Sequence, residues 1–340
     1  MNKKNERYDN LIKILDILRF ERVVSRQQLK EKCLLQLSTI TYLVKDLISL
    51  GLVEEFCKQE ERKVGKPGTF LRLNGSAAHF LGVYVEDMFL DMYVHDFSGT
   101  QLVHIHKELE DAEDISIPIE KEIESIIEKD HLIVSVGIAV KGIVTKSGLI
   151  KTGKRLHGGN GWDTSGLITK LKTKYPDKEV IAENDANCVA VLEHMKSRKF
   201  NDNTIAYVIN DVPFGIGIGI ITNGKLYKGS NGEAGEFFIR NFHFKERAED
   251  LDRMRLLSDM AGHVLTTYYL LNPERIVLTG SIFSCLTDQE ADEAKTLFDD
   301  FPCQIEIQMD KEFSAPARGA VEMSTELYIE KTIGNIERRW

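Results

Sequence analysis

Asn184 and Asp185 stand where a short apolar run, Val180-Ile181-Ala182, gives way to a polar cluster and then to a helical pattern, Cys188-Val189-Ala190-Val191-Leu192. That order predicts a strand-to-helix junction, with the pair beside the amide-rich start of the helix. An amide both donates and accepts, and a carboxylate accepts from hydroxyls, so the two together suit a polyol. A carboxylate in that place can also act as a general base toward a sugar hydroxyl. The same residue types cap helices, and the stretch alone leaves that reading open.

Alternating strands and helices are needed to hold such a junction. Phe80–Val85 and Phe89–Asp96 read as a hairpin, and Ile117–Ile127 as an amphipathic helix. The β-branched run Leu132–Val140 reads as a strand buried on both faces. A glycine-rich stretch (Gly153, Gly158, Gly159, Gly161) and a helix from about Thr164 to Tyr175 lead back to the junction. The theme then repeats: strands at Thr204–Ile209 and Phe214–Ile221, a turn at Asn223-Gly224-Lys225, a helix over Leu256–Leu271 and a strand at Arg275–Thr279. Two similar halves predict an α/β body with a cleft between two lobes, residues 76–186 and 187–340.

Residues 1–75 have a different character. Leu11, Ile14, Leu15 and Leu18 share one helical face, and Ser25 with Gln28 has the spacing of a capping box. In the third helical pattern Ile40, Leu43, Val44 and Leu47 face inward, which leaves Ser38, Thr39, Thr41, Tyr42 and Lys45 outward. Two strands then flank a basic Gly/Pro tip containing Arg62, Lys63 and Lys66. Three helices and such a hairpin form the winged helix-turn-helix pattern, whose second motif helix enters the major groove of double-stranded DNA while the wing reaches phosphate or the minor groove. A small interaction module with a solvated polar face shares the pattern.

Charge separates the two parts. Residues 1–73 carry a net charge of +5 and the remainder −14, within an overall −9. A basic head attracts nucleic acid and an acidic body repels it. Five scattered cysteines without a C-x-x-C pair predict free thiols in a reducing cytoplasm and no zinc site. The polar start Met1–Asn5 and the absence of a long apolar run predict neither secretion nor a membrane span.

The body resembles the ROK family, named for repressors, open reading frames and sugar kinases, of the actin-like ATPase (ribonuclease H-like) fold. The resemblance lies in Glu183-Asn184-Asp185-Ala186-Asn187, Gly215-Ile216-Gly217-Ile218-Gly219, Gly224-Lys225-Leu226, Gly232-Glu233-Ala234-Gly235-Glu236 and Leu271-Asn272-Pro273-Glu274-Arg275. The basic head, with Ser25-Arg26 and Gly65-Lys66-Pro67, is similar to that of the family's repressors. The resemblance implies a sugar site between the lobes. Asp185 falls on the kinases' catalytic base, Asn184 and Glu236 on sugar ligands, and Gly142 on a backbone position beside the sugar.

Departures from the pattern bear on activity. Kinases of the family open this domain with a glycine-rich phosphate loop, and this chain has Val85-Glu86-Asp87-Met88-Phe89. The second phosphate loop has Pro213-Phe214-Gly215 where Gly-Thr-Gly is usual. Phosphoryl transfer needs positioning and charge neutralisation of the phosphates, and both are weakened. After Glu236 the chain reads Phe237-Phe238-Ile239 in place of Gly-His and a cysteine-rich zinc loop; His243 lies four positions beyond the expected place. Lys141, beside Gly142, is either a surface lysine or a cation selecting an acidic sugar or sugar phosphate. The run Lys245–Asp250 reads as a solvated face. The expectation is a homodimeric DNA-binding regulator, a repressor of carbohydrate genes, that senses a sugar or sugar phosphate without catalysis, metal or cofactor. An active hexose kinase and an effector-independent regulator are the competing expectations.

Overall fold

A computed structural model describes residues 3–57, 69–86, 89–109, 115–144, 150–151, 164–197, 203–211, 214–236, 252–309 and 314–339. The wing-tip residues Arg62, Lys63 and Lys66 lie outside the described residues, as do Asp87, Met88, Pro213, the glycine-rich stretch, Phe237–Ile239, His243 and the run 245–250.

The chain begins with α1 (Lys3–Glu21), β1 (Val24–Ser25), α2 (Arg26–Cys33), α3 (Leu37–Ser49), β2 (Val53–Cys57) and β3 (Thr69–Leu73). The three strands form an antiparallel sheet in the order β1-β3-β2. Ser25 and Gln28 close the expected capping box on α2: the Ser25 hydroxyl accepts from the Gln28 amide at 3.2 Å, and Gln28 Oε1 accepts from the Ser25 amide at 2.8 Å. Leu34 ends α2 in the left-handed region at φ 59°, which sets the turn into α3.

The body repeats one topology twice. The first half runs β4 (His79–Glu86), β5 (Phe89–Asp96), β6 (Gln101–Glu108), α4 (Ser116–Lys129), β7 (Ile133–Val140), the short strands β8 (Ile143–Val144) and β9 (Ile150–Lys151), α5 (Thr164–Lys174), β10 (Glu179–Asn184) and α6 (Asp185–Ser197). The second runs β11 (Thr204–Asp211), β12 (Phe214–Thr222), β13 (Lys225–Leu226), α7 (Arg253–Leu271), β14 (Arg275–Thr279), α8 (Ser281–Ser284), α9 (Asp288–Thr296), β15 (Gln304–Ile307) and α10 (Ala315–Arg339). The sheets have orders β10-β7-β4-β5-β6 and β13-β12-β11-β14-β15. Each joins a three-stranded antiparallel meander to two parallel strands.

Each half ends in a helix that packs on the sheet of the other half. Helix α6 lies on β11 and β12, and α10 lies on β4 and β7. Glycines make both seats possible. A Cβ on Gly82 or Gly137 would overlap the backbone of α10, and one on Gly219 the backbone of α6. The two helices cross where Gly319 meets the Cys188 carbonyl. Burial of β7 on both faces follows, with α10 on one side and the α4–α5 core on the other.

One core runs from the head into the body. Leu11, Ile14, Leu15 and Leu18 of α1 join Val321, Ile329 and Ile333 of α10 and Phe80 and Phe97 of the first sheet. Charges are buried along this seam. Burial pushes the Asp16 and Glu326 carboxyls above the usual range, against the pull of Arg19. A carboxyl whose folded pKa is raised contributes stability at low pH and loses it as pH rises through that folded value. Glu326→Gln is therefore expected to raise the melting midpoint by about 2 °C at pH 7.5, with the gain vanishing near pH 4; thermal scans at the two pH values check it. No helix among the described residues is long and apolar enough to cross a membrane.

Candidate functional site

Strands β7 and β10 run parallel, with Val140 beside Asn184. Their carboxyl ends therefore open together, the position where open α/β sheets hold ligands. The loop Lys141-Gly142 leaves β7 there, with Gly142 at φ 149°, and α6 starts there from β10.

Asn184 caps the helix and also reaches the β7 loop. Its Oδ1 accepts from the Asn187 amide at 3.1 Å, which caps α6, and its Nδ2 donates to the Gly142 carbonyl at 3.1 Å. One amide thus ties the helix start to the β7 loop. Glu183, absent from the sequence-based candidates, is buried behind it. Glu183 Oε1 accepts from the Asn184 amide at 3.0 Å and Asn187 Nδ2 at 2.9 Å, and Oε2 pairs with Lys228 of the second lobe. Its place in the motif was visible in sequence; its cross-lobe partner was not.

Asp185 is buried, and its Oδ1 accepts from the Ala186 amide at 2.8 Å. Burial pushes its carboxyl up, while Lys141, that backbone amide and the Tyr84 hydroxyl pull it down. Lys141 therefore stands within electrostatic reach of Asp185, and Tyr84, a core residue of β4, supplies a contact that no motif revealed. Glu236 comes from the other side: it bridges Gly217 of β12, and the Gly235 carbonyl accepts from the Ile218 amide at 3.0 Å. Gly235 holds φ 89°, and a Cβ there would strike the Ile218 carbonyl. The Glu236 carboxyl is pushed up by burial first, then by Asp185 and Glu233. Gly142, Asn184, Asp185 and Glu236 are thus brought near one another, through the Asn184–Gly142 hydrogen bond and the repulsion between Asp185 and Glu236, in a group rich in acceptors for hydroxyls. Cys188, one turn into α6, is buried with its thiol pushed well up, which keeps it unreactive. No cluster able to hold a metal ion occurs among the described residues.

The second candidate surface lies on α3. Ile40, Leu43, Val44 and Leu47 are buried, while Ser38, Thr39, Thr41, Tyr42 and Lys45 are all exposed. The Thr41 hydroxyl donates to the Leu37 carbonyl at 2.8 Å, so it presents its methyl and one remaining acceptor. Leu34 and Leu37 add exposed apolar surface at the mouth of the α2–α3 turn. Helical spacing does not reveal them, because both fall at the turn.

The description of the ROK family matches residues 92–245. A xylose repressor of Bacillus spizizenii (strain ATCC 23059 / NRRL B-14472 / W23) is 29% identical over 219 residues, and one of Staphylococcus xylosus is 31% identical over 225. Each alignment covers 63% of this chain and 55% of the relative, so the chain spans about half the length of the curated relatives it matches. A solved ROK family transcriptional regulator, a homologue of the E. coli MLC protein, superimposes with a TM-score of 0.67 at 17% identity, over 96% of this chain and 98% of that one. The likeness shows that the two chains share a fold. Residues 92–245 match the ROK family, and this stretch contains Gly142, Asn184, Asp185 and Glu236.

Proposed function

We propose that this chain is a transcriptional repressor of carbohydrate use, with a winged helix-turn-helix head and a non-catalytic body that senses a monosaccharide. The exposed face of α3 carries the reading. A helix whose apolar side is buried in the head presents three hydroxyls, a tyrosine and a lysine to solvent, and the head is the basic part of an acidic chain. Hydroxyls and amphipathic tips suit base edges and phosphates. The basic stretch with Arg62, Lys63 and Lys66, outside the described residues, is expected from its sequence to add phosphate contacts. The named relatives are xylose repressors, which makes D-xylose the first effector to test. A homodimer presents two such helices to half-sites about 34 Å apart. Asp185 keeps the place of a base but serves as an acceptor, since the sequence at both phosphate loops departs from the kinase pattern.

Fluorescence anisotropy on DNA from upstream of the chain's own gene tests this. The expected Kd is on the order of 10⁻⁸ M near physiological salt, weakened about tenfold or more by saturating D-xylose or another pentose or hexose. Equal affinity for unrelated DNA would sink the repressor reading, and sugar-dependent ATP turnover would restore the kinase. Lys45→Ala is expected to weaken binding to all sequences by a similar factor and to lower the salt slope by about one; titrations at several salt concentrations check it.

A further inference from the structure

The end of α1 touches α10 and the β5–β6 turn, which both belong to the first sheet's side of the body, and α6, which is seated on the second sheet. Arg19 Nη2 donates to Glu322 Oε2 of α10 at 3.0 Å and to the Glu322 carbonyl at 3.3 Å. Phe20 meets the His194 ring edge to face, with centroids 5.3 Å apart, near the end of α6. Arg22, held in the left-handed region at φ 66°, donates to the Ser98 carbonyl in the β5–β6 turn of the first lobe. Helix α6 is fixed in turn to the second sheet. Arg275 of β14 donates to the Glu193 carbonyl and to Glu193 Oε2, each at 2.9 Å, and to Glu306 Oε2 of β15 at 2.6 Å. The other end of α6, about 14 Å away, is the Asn184–Asn187 cluster of the candidate site.

We propose that Arg19, Phe20 and Arg22 make α1 a lever that turns a change in the angle between the lobes into a rotation of the head, with α6 carrying the state of the cleft to it. The inference rests on the reading of the cleft as an effector site. Helices α6 and α10 are the two connections that cross between sheets, so a change in lobe angle is taken up where they meet. A rigid α1 cannot keep Phe20 on the end of α6 seated on the second sheet and Arg22 on the first sheet's β5–β6 turn when those move apart. The seam also has room for movement: a cavity of about 50 Å³ lies among Asp16, Phe20, Met195, Lys225 and Glu326. A desolvated ion pair such as Arg19–Glu322 holds its partner in register rather than letting it slide, so the head takes up discrete orientations.

Hydrogen exchange on the full chain tests the lever without any sugar. Glu183→Gln removes the charge that pairs with Lys228 at the cleft. Exchange at residues 17–22 is expected to change about fivefold. In the double variant Glu183→Gln/Phe20→Leu that distant change disappears while the local one at the cleft persists. Unchanged exchange at residues 17–22 in Glu183→Gln, or its survival in the double variant, overturns the lever. A second arm compares operator binding with and without D-xylose. Phe20→Leu should keep the sugar-induced rise in melting midpoint and the sugar-free operator affinity, yet reduce an operator response of about tenfold to under about twofold. A full response in that variant also overturns the lever. Failure of the wild-type chain to show any thermal shift with pentoses and hexoses counts against the effector reading instead, and the exchange arm then decides the lever alone.

Discussion

Gly319→Val is expected to cost about 3 kcal/mol or more, lowering the melting midpoint by about 6 °C or more. A Cβ at this position would overlap the backbone carbonyl and Cα of Cys188, and neither can rotate away as a flexible side chain would. The helices cannot separate cheaply, because each is seated against glycines on its far side. Moving α10 away from α6 drives the Ala317 and Ala320 carbonyls toward Gly82 and Gly137. Moving α6 drives Ala186 and Ala190 into Gly217 and Gly219. Strain at the crossing therefore spreads into both sheets, and interiors at crystal-like density transmit rather than absorb it. Gly262→Ala is the matched control. Gly262 lies in α7 with nothing within 4 Å of the position a Cβ would take. That substitution is expected to stabilise by about 0.5–1 kcal/mol, since alanine loses less backbone entropy in a helix. Thermal scans of both variants, with circular dichroism to confirm helix content, decide the comparison. A Gly319→Val chain that melts with the wild type would mean that the crossing is not close-packed.

What could be read in sequence was local. The capping box at Ser25 and Gln28, the inward set Ile40, Leu43, Val44 and Leu47, and the Asn223-Gly224 turn each satisfy their own geometry within a few residues. The turn residues take φ 52° and 71°, which Asn tolerates and Gly, lacking a Cβ, adopts freely. The junction at Asn184 was legible because strand and helix patterns abut there. Helix α10 was not legible, although it is the longest among the described residues at 25 residues. It faces the first sheet, α6 and α1 at different points along its length, so no single apolar stripe marks it. Arg19 and Glu322 are 303 positions apart, and nothing local to either indicates the other. The same holds for Glu183: its motif position suggests the cleft, but Lys228 determines that it bridges the lobes. Long-range pairing of charges is set by the folded topology, and one sequence without the fold does not encode it in any short window.

Asp185→Asn and Asn184→Ala separate the two roles that the junction residues can play. Asn184 is the cap of α6, so Asn184→Ala is expected to cost about 1 kcal/mol of stability and to loosen the β7 loop held through Gly142. Asp185 is different. Its carboxyl is pushed up by burial, despite Lys141, the Ala186 amide and the Tyr84 hydroxyl. Raised carboxyls contribute stability at low pH and lose it as pH rises through the folded value, so Asp185 favours the fold less as pH rises. Replacing it with the isosteric amide should leave the melting midpoint unchanged or slightly higher. On the proposed reading, a carboxyl kept at the expense of stability beside Glu236 serves binding. Sugar affinity should fall by about 10- to 100-fold, because a charge-assisted acceptor for a sugar hydroxyl is lost. Operator affinity without sugar should match the wild type, since Asp185 makes no contact with the head. The measurements are a melting curve at pH 7.5, a thermal-shift titration with D-xylose and other monosaccharides, and anisotropy on operator DNA. A large drop in melting midpoint for Asp185→Asn would make the residue a structural element of α6. An unchanged sugar titration would move the ligand-facing role to Glu236, which approaches the cleft from the second lobe.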